Sequence, residues 1–131
     1  MLAQQQLPEF VTSEWYSDPN DHRCPHDAWL EAVEVRELAE GERSEIRTTT
    51  ISIRLLGAYH DGHLVFRYSG VTRYSLASDD SRRGMGDWLE DRVSISSDGT
   101  LRHDIIWCFG PSTMSAWFVE AEGISYEWIP K

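Results

Sequence analysis

Apolar and polar residues alternate through residues 46–68, which predicts two β-strands that each bury one face. The dipeptide Asp61-Gly62 separates the two alternating runs and is typical of a two-residue hairpin turn. That turn sets His60 opposite His63 and Leu55 opposite Tyr68. The apolar residues of both strands then share one face: Ile51, Ile53, Leu55, Tyr59, Leu64, Phe66 and Tyr68.

A second hairpin is predicted around Asp98-Gly99, but a two-residue turn there would mix apolar and polar residues on each face. A three-residue loop, Ser97-Asp98-Gly99, corrects the mismatch if Gly99 adopts a left-handed conformation. Ile95 then faces Leu101, and Leu89 faces Trp107.

The pattern continues through a predicted four-residue loop, Gly110-Pro-Ser-Thr113, which pairs Phe109 with Met114 and Ile105 with Phe118. A last turn at residues 120–122 would pair Phe118 with Ile124. Residues 87–130 are therefore predicted to form a four-stranded meander with one continuous apolar face.

The remaining segments are less regular. Residues 1–26 predict an irregular N-terminal segment, and residues 77–87 predict a long polar loop. Residues 27–41 fit either a helix or a strand, and the alternation of Val33 and Val35 favours the strand. The chain is predicted to be a single, mainly β domain over residues 1–131. Its antiparallel meander of about seven strands would form a two-sheet sandwich or a partly closed barrel.

The formal net charge of −10 bears on the choice of binding partner more than on the fold. A basic footprint for nucleic acid is missing, and anionic lipid would be repelled. The acidic surface instead favours a basic protein partner, with a homodimer as the alternative. The N-terminus shows no signal peptide and no run has membrane-spanning length, so we expect a cytoplasmic protein with reduced thiols at Cys24 and Cys108.

His103 and Asp91 are the candidate catalytic residues. The bulged hairpin places both on the apolar face, with His103 opposite Val93 and diagonal to Asp91. An Asp–His pair in an apolar setting suits general acid–base chemistry, although a satisfied structural pair fits the same pattern.

His60, His63 and Asp61 are the candidate metal ligands, because a two-residue turn would bring the two imidazoles together. The sequence identifies no further ligand that would complete a fixed site, so we expect no cofactor, with a transition metal as the alternative.

Trp117, Ile106 and Val119 are the candidate interface residues. The predicted register places them on the outer face of the meander, where they would form an apolar patch that suits a protein partner.

Three short stretches resemble those of small uncharacterised bacterial proteins: residues 24–29 (CPHDAW), residues 55–62 (LLGAYHDG) and residues 86–89 (GDWL). That resemblance implies no activity. In size and acidity the chain is also similar to immunity proteins of bacterial toxin systems, which implies an inhibitor of another protein. We therefore expect a non-enzymatic protein-interaction domain. The alternative is a small-ligand-binding protein or a metal-dependent enzyme, with its pocket near His103 and Asp91.

Overall fold

The computed structural model describes residues 6–78 and 80–131 and shows six antiparallel strands in one sheet. The strand order is β1-β2-β3-β6-β5-β4. In these described ranges the only helices are two short 3₁₀ helices, Glu9–Thr12 and Glu14–Ser17. The strands are β1 (Trp29–Glu40), β2 (Ile46–Leu56), β3 (Gly62–Leu76), β4 (Asp87–Ile95), β5 (Leu101–Phe109) and β6 (Thr113–Pro130).

The predicted mainly antiparallel β domain is confirmed, and residues 27–41 form the strand rather than the helix. The structure has six strands in a single sheet, so the predicted seven strands and the two-sheet sandwich are not confirmed. The sheet curls until β1 meets β4 at one residue pair, Trp29 with Asp87. This curl lets one face of the sheet bury its apolar side chains against itself.

Large aromatic side chains fill the interior. Phe66 stacks on Trp88 with ring centroids 5.1 Å apart, and Trp88 meets Trp107 edge to face at 5.4 Å. Each such ring removes about 150–250 Å² of surface from water, which makes this cluster the main apolar contribution to the fold. Phe10 and Tyr16 of the N-terminal segment complete it by packing on Phe66.

The first hairpin keeps its predicted face but not its predicted turn. Leu56 pairs with His63, so Leu55 faces Leu64 and Ile53 faces Phe66. The loop is longer than two residues because the His60 N–H bonds back to the Gly57 carbonyl at 2.8 Å, with His60 left-handed at φ 59°. The register moves by an even number of residues, so the apolar side chains within the two strands stay on the buried side. Tyr59, which was predicted on that face, lies in the loop and is 48% exposed.

The second hairpin is confirmed where it turns. Ile95 pairs with Leu101, and Gly99 adopts a positive φ of 88°. A bulge between Trp88 and Glu90 then changes the far end. Trp88, not Leu89, faces Trp107 and enters the core.

The register of β6 was predicted wrongly by one residue. Phe109 pairs with Thr113 rather than Met114, and Ile105 pairs with Trp117 rather than Phe118. A shift of one residue exchanges the two faces of a strand. No turn interrupts the strand at residues 120–122, because β6 continues to Pro130 and pairs with β3 from Trp117 onward.

The irregular N-terminal segment and the long loop are both present. Residues 6–28 lie against the edge of β4, where the Asp27 N–H donates to the Trp88 carbonyl at 2.8 Å. The Tyr126 hydroxyl donates to the Arg23 carbonyl and fastens the segment to β6. The predicted loop 77–87 occupies residues 77–86 between β3 and β4, because Asp87 begins β4. Asp79 within it is outside the described residues. Among the residues described, no helix combines the length and the apolarity that a membrane span requires.

Candidate functional site

His103 and Asp91 meet inside the sheet, as their positions on one hairpin face predict. His103 lies opposite Val93, and its Nε2 is 2.6 Å from Asp91 Oδ2. The His103 side chain is fully buried, whereas 9% of the Asp91 side chain is exposed. Asp91 is therefore the member of the pair that reaches solvent.

Two tyrosines extend the pair into a chain of four polar side chains. The Tyr68 hydroxyl is 2.6 Å from His103 Nδ1, and the Tyr16 hydroxyl donates to Asp91 Oδ2 at 2.5 Å. From the described residues, the other carboxylate oxygen, Oδ1, receives only a long bond of 3.4 Å from the Trp88 indole. The sequence did not identify either tyrosine as a partner, because one lies on β3 and the other on the irregular N-terminal segment.

Both phenols stay protonated in this setting. Burial, followed by the nearby Asp91 carboxylate, raises the pKa of Tyr68 well above its usual value. The same two causes, with burial again the larger, raise the pKa of Tyr16. Each hydroxyl therefore has one proton to donate at neutral pH.

Counting donors assigns the protonation of His103. When Asp91 is ionised its carboxylate only accepts, so the facing nitrogen Nε2 carries a proton. Within the described chain His103 is the one partner of the Tyr68 hydroxyl, whose proton therefore needs Nδ1 as acceptor. Every donor is used if His103 is neutral, and a charged ring would leave the Tyr68 proton buried without an acceptor.

A cleft of about 390 Å³ opens beside Asp91, between the N-terminal segment and β4. Its lining includes Val11, Tyr16, Pro19, Cys24, Trp88 and Asp91. Burial is the main reason that the pKa of the Cys24 thiol is raised, which makes it a poor nucleophile. His103 is not in contact with the cleft, so its ring is not placed to act on a bound molecule.

The three candidate metal ligands have separate partners. Asp61 lies 2.5 Å from His22 Nδ1, and the Glu31 carboxylate lies 2.7 Å from His63 Nδ1. His60 packs its ring against Trp29. The predicted opposition of His60 and His63 is wrong, because the longer loop sets Leu56 in that place. Across residues 6–78 and 80–131, no group of three or more His, Cys, Asp or Glu side chains is arranged to hold a metal.

The predicted outer patch is wrong for two of its three residues. Trp117 and Val119 are buried at 5% and 0% exposure, because the one-residue shift of β6 turns them inward. Ile106 remains on the outer face and is partly buried. The outer face of β6 instead carries Phe118, with the Arg102 guanidinium 4.1 Å above its ring.

Exposed apolar side chains lie along β1, with Val33 and Val35 on the face shared with Ile53 and Ile51, and Leu38 on the other face. Val33, Val35 and Leu38 are 37%, 43% and 39% exposed, which is high for apolar residues in a strand. Apart from the pair at Trp29, no described strand pairs with β1 on the side away from β2. Residues 30–40 thus present a row of unpaired backbone N–H and C=O groups to solvent.

The same strand is strongly acidic. Residues 29–40 contain four glutamates and one arginine. Arg36 lies 3.0 Å from Glu34, and Arg47 of β2 lies 3.6 Å from Glu37. These side chains are more than half exposed, so the pairs are weak and leave the surface negative.

No protein-family model, curated protein or solved structure matches this chain.

Proposed function

We propose that this protein is a non-enzymatic interaction domain that binds an extended, basic segment of another protein along the free edge of β1. The observation that carries the proposal is that residues 30–40 combine an unpaired backbone edge with exposed Val33, Val35 and Leu38. An added strand would supply main-chain hydrogen bonds, and alternate side chains would supply specificity.

Charge favours a basic partner over a second copy of the chain. The symmetric antiparallel register that sets Val33 opposite Val35 also sets Glu34 opposite the same residue of the second copy. It further sets Glu31 opposite Glu37, and like charges in direct opposition destabilise a strand pair. A strand with apolar residues opposite Val33 and Val35 and a basic residue opposite Glu34 meets both faces of β1 favourably.

The proposal fits the resemblance to immunity proteins, because an acidic inhibitor suits a basic target. It replaces the Trp117 patch with β1 as the contact surface. Catalysis by His103 has less support, since that ring is fully buried and its two nitrogens already have partners.

Two synthetic nine-residue peptides with blocked ends test the proposal, one alternating Val with Lys and one alternating Val with Glu. With Val opposite Val33 and Val35, Lys lies opposite Glu34 and Glu40 and also opposite Arg36. At about 0.5 kcal/mol for each charge pair the net gain is about 0.5 kcal/mol, roughly twofold in affinity, and the Glu peptide loses a similar amount. We expect the Lys peptide to bind more tightly, to weaken with added salt, and to protect β1 amides from hydrogen exchange. Equal binding of both peptides, or protection away from β1, would refute the proposal.

A pair of matched variants locates the surface. Val35→Lys removes an apolar contact and adds a repulsive charge on β1, so it should weaken the Lys peptide at least about tenfold. Ile95→Lys makes the same kind of change on a residue of similar exposure, 48% against 43%, at the end of β4. Ile95→Lys should leave binding within about twofold, and both variants should keep nearly wild-type stability because the positions are exposed.

A further inference from the structure

The cleft beside Asp91 is separate from the β1 edge. The Asp91 carboxylate, which lines the cleft, is not neutralised by an ion pair with a described Arg or Lys side chain. Asp91 accepts hydrogen bonds from Tyr16, Trp88 and His103, all of which are neutral donors by the count of protons above. In the described chain no Arg or Lys side chain forms an ion pair with it; its one such contact is with His103. A carboxylate that is nine-tenths buried without a cation is unusual, because removing a charge from water is costly.

One oxygen of Asp91 keeps spare capacity to accept. Oδ2 already receives Tyr16 at 2.5 Å and His103 at 2.6 Å. Among the residues that the structure describes, Oδ1 receives only the Trp88 indole at 3.4 Å, which is at the limit of a hydrogen bond. A carboxylate oxygen accepts more than one donor, so Oδ1 remains available to a molecule in the cleft.

The rest of the cleft is mainly apolar. Val11, Pro19 and Trp88 form part of its wall, and its volume of about 390 Å³ lies in the range of small-molecule sites. Glu90 and Arg92 also line it with opposite charges, so Asp91 leaves the lining with a net negative charge. The net charge of −10 adds an attractive field for cations. An occupant that suits this lining combines a small apolar body with one positive hydrogen-bond donor.

We propose that the cleft between the N-terminal segment and β4 binds a small molecule bearing a primary ammonium group, with Asp91 Oδ1 as its anchor. The ammonium supplies the positive charge that the buried network lacks, and the apolar body lies against Trp88. Tyr16 positions the carboxylate and does not contact the ammonium, because its single proton is already donated to Oδ2.

Benzylamine is a suitable probe, with benzyl alcohol as its neutral analogue of nearly the same size. Amide chemical shifts are followed by NMR as each probe is added to the wild-type chain. Benzylamine should give saturable shifts around Ser17 and Trp88 with a Kd of about 1 mM or below, and benzyl alcohol should bind at least about tenfold more weakly. Similar binding of the two probes, saturation at another surface, or no saturable shift at about 20 mM benzylamine would overturn the proposal.

Three variants separate the anchor from general electrostatics. Asp91→Asn should weaken benzylamine at least about tenfold. Since that change could unfold the network, Ser17→Trp gives a second route by filling the cleft mouth from an exposed position, and it should also abolish binding. Glu14→Gln removes one exposed charge of the same segment outside the cleft and should leave the Kd within about twofold. If Glu14→Gln weakens binding as much as Asp91→Asn, or if Ser17→Trp leaves it unchanged, the cleft is not the site.

Discussion

Tyr68→Phe tests the buried network most directly, because it removes one hydroxyl and leaves the ring in place. Tyr68 is 1% exposed and His103 is 0% exposed, so no water replaces the lost donor at His103 Nδ1. A buried acceptor without a partner costs about 1–3 kcal/mol. For a chain of this length each kcal/mol lowers Tm by about 3–5 °C, so we expect a decrease of roughly 3–15 °C.

Urea unfolding gives the free energy directly, and the slope m should stay at the wild-type value because the exposed area is unchanged. Tyr59→Phe is the matched control. Its hydroxyl donates to the Pro19 carbonyl at 3.1 Å, but the residue is 48% exposed and water can replace the bond. The control should therefore lose less than about 0.5 kcal/mol.

Nitrogen chemical shifts of His103 at pH 7 complete the test. The donor count requires a proton on Nε2 and none on Nδ1. The reasoning fails if Tyr68→Phe unfolds within about 0.5 kcal/mol of the wild type, or if both ring nitrogens carry protons. A doubly protonated ring would also remove the charge argument for the ammonium site.

Three further predictions concern other parts of the fold. Hydrogen bonds from Ser96 and Thr100 lower the pKa of Asp98 to about 2. The pKa of Asp in the unfolded chain is about 3.9, so Asp98 stabilises the fold fully above about pH 3.9 and loses this contribution as the pH falls through about 2. Asp98→Ala should therefore destabilise the protein more at pH 5 than at pH 2 in thermal melts, and an equal loss at both would contradict the assignment. Gly86→Ala should lower the free energy of unfolding in urea by about 2 kcal/mol or more, because φ is +85° and a Cβ would overlap the Cys108 carbonyl. Gly84→Ala is the control: its φ is +77° but the space around it is open, so it should cost only about 1–2 kcal/mol. Equal losses in the two variants would exclude the overlap. In the native state a thiol reagent should modify Cys108 before Cys24, because Cys24 is 5% exposed and burial raises the pKa of its thiol. Equal rates of modification would indicate that the N-terminal segment opens.

The His103–Asp91 pair was accessible to sequence reasoning because both residues belong to one hairpin, twelve positions apart. Alternation and the left-handed Gly99 were enough to set their register. Tyr68 and Tyr16 lie 35 and 75 positions from their partners, and nothing local predicts such contacts. The sequence therefore suggested a pair, and the structure shows a chain of four.

The turn lengths were less predictable than the faces. In the first hairpin a left-handed His60 lengthens the loop, but the even shift leaves Leu55 and Leu64 buried. In β6 an odd shift was possible because both alternating sets are apolar: Met114, Ala116 and Phe118 on one side, and Trp117, Val119 and Ala121 on the other. Hydrophobic pattern alone does not choose between two such sets.

Local alternation and turn residues by themselves determined that this chain is mainly antiparallel β and which side of β2, β3 and β5 is buried, and they favoured a strand for β1. Only the tertiary structure decided that Trp117 points inward, since this follows from β6 pairing with both β3 and β5. It also decided that one edge of β1 is left without a neighbour and that a cleft opens at Asp91. The physical reason is range: side-chain alternation is fixed within a few residues, whereas strand partners and clefts depend on segments far apart in the chain.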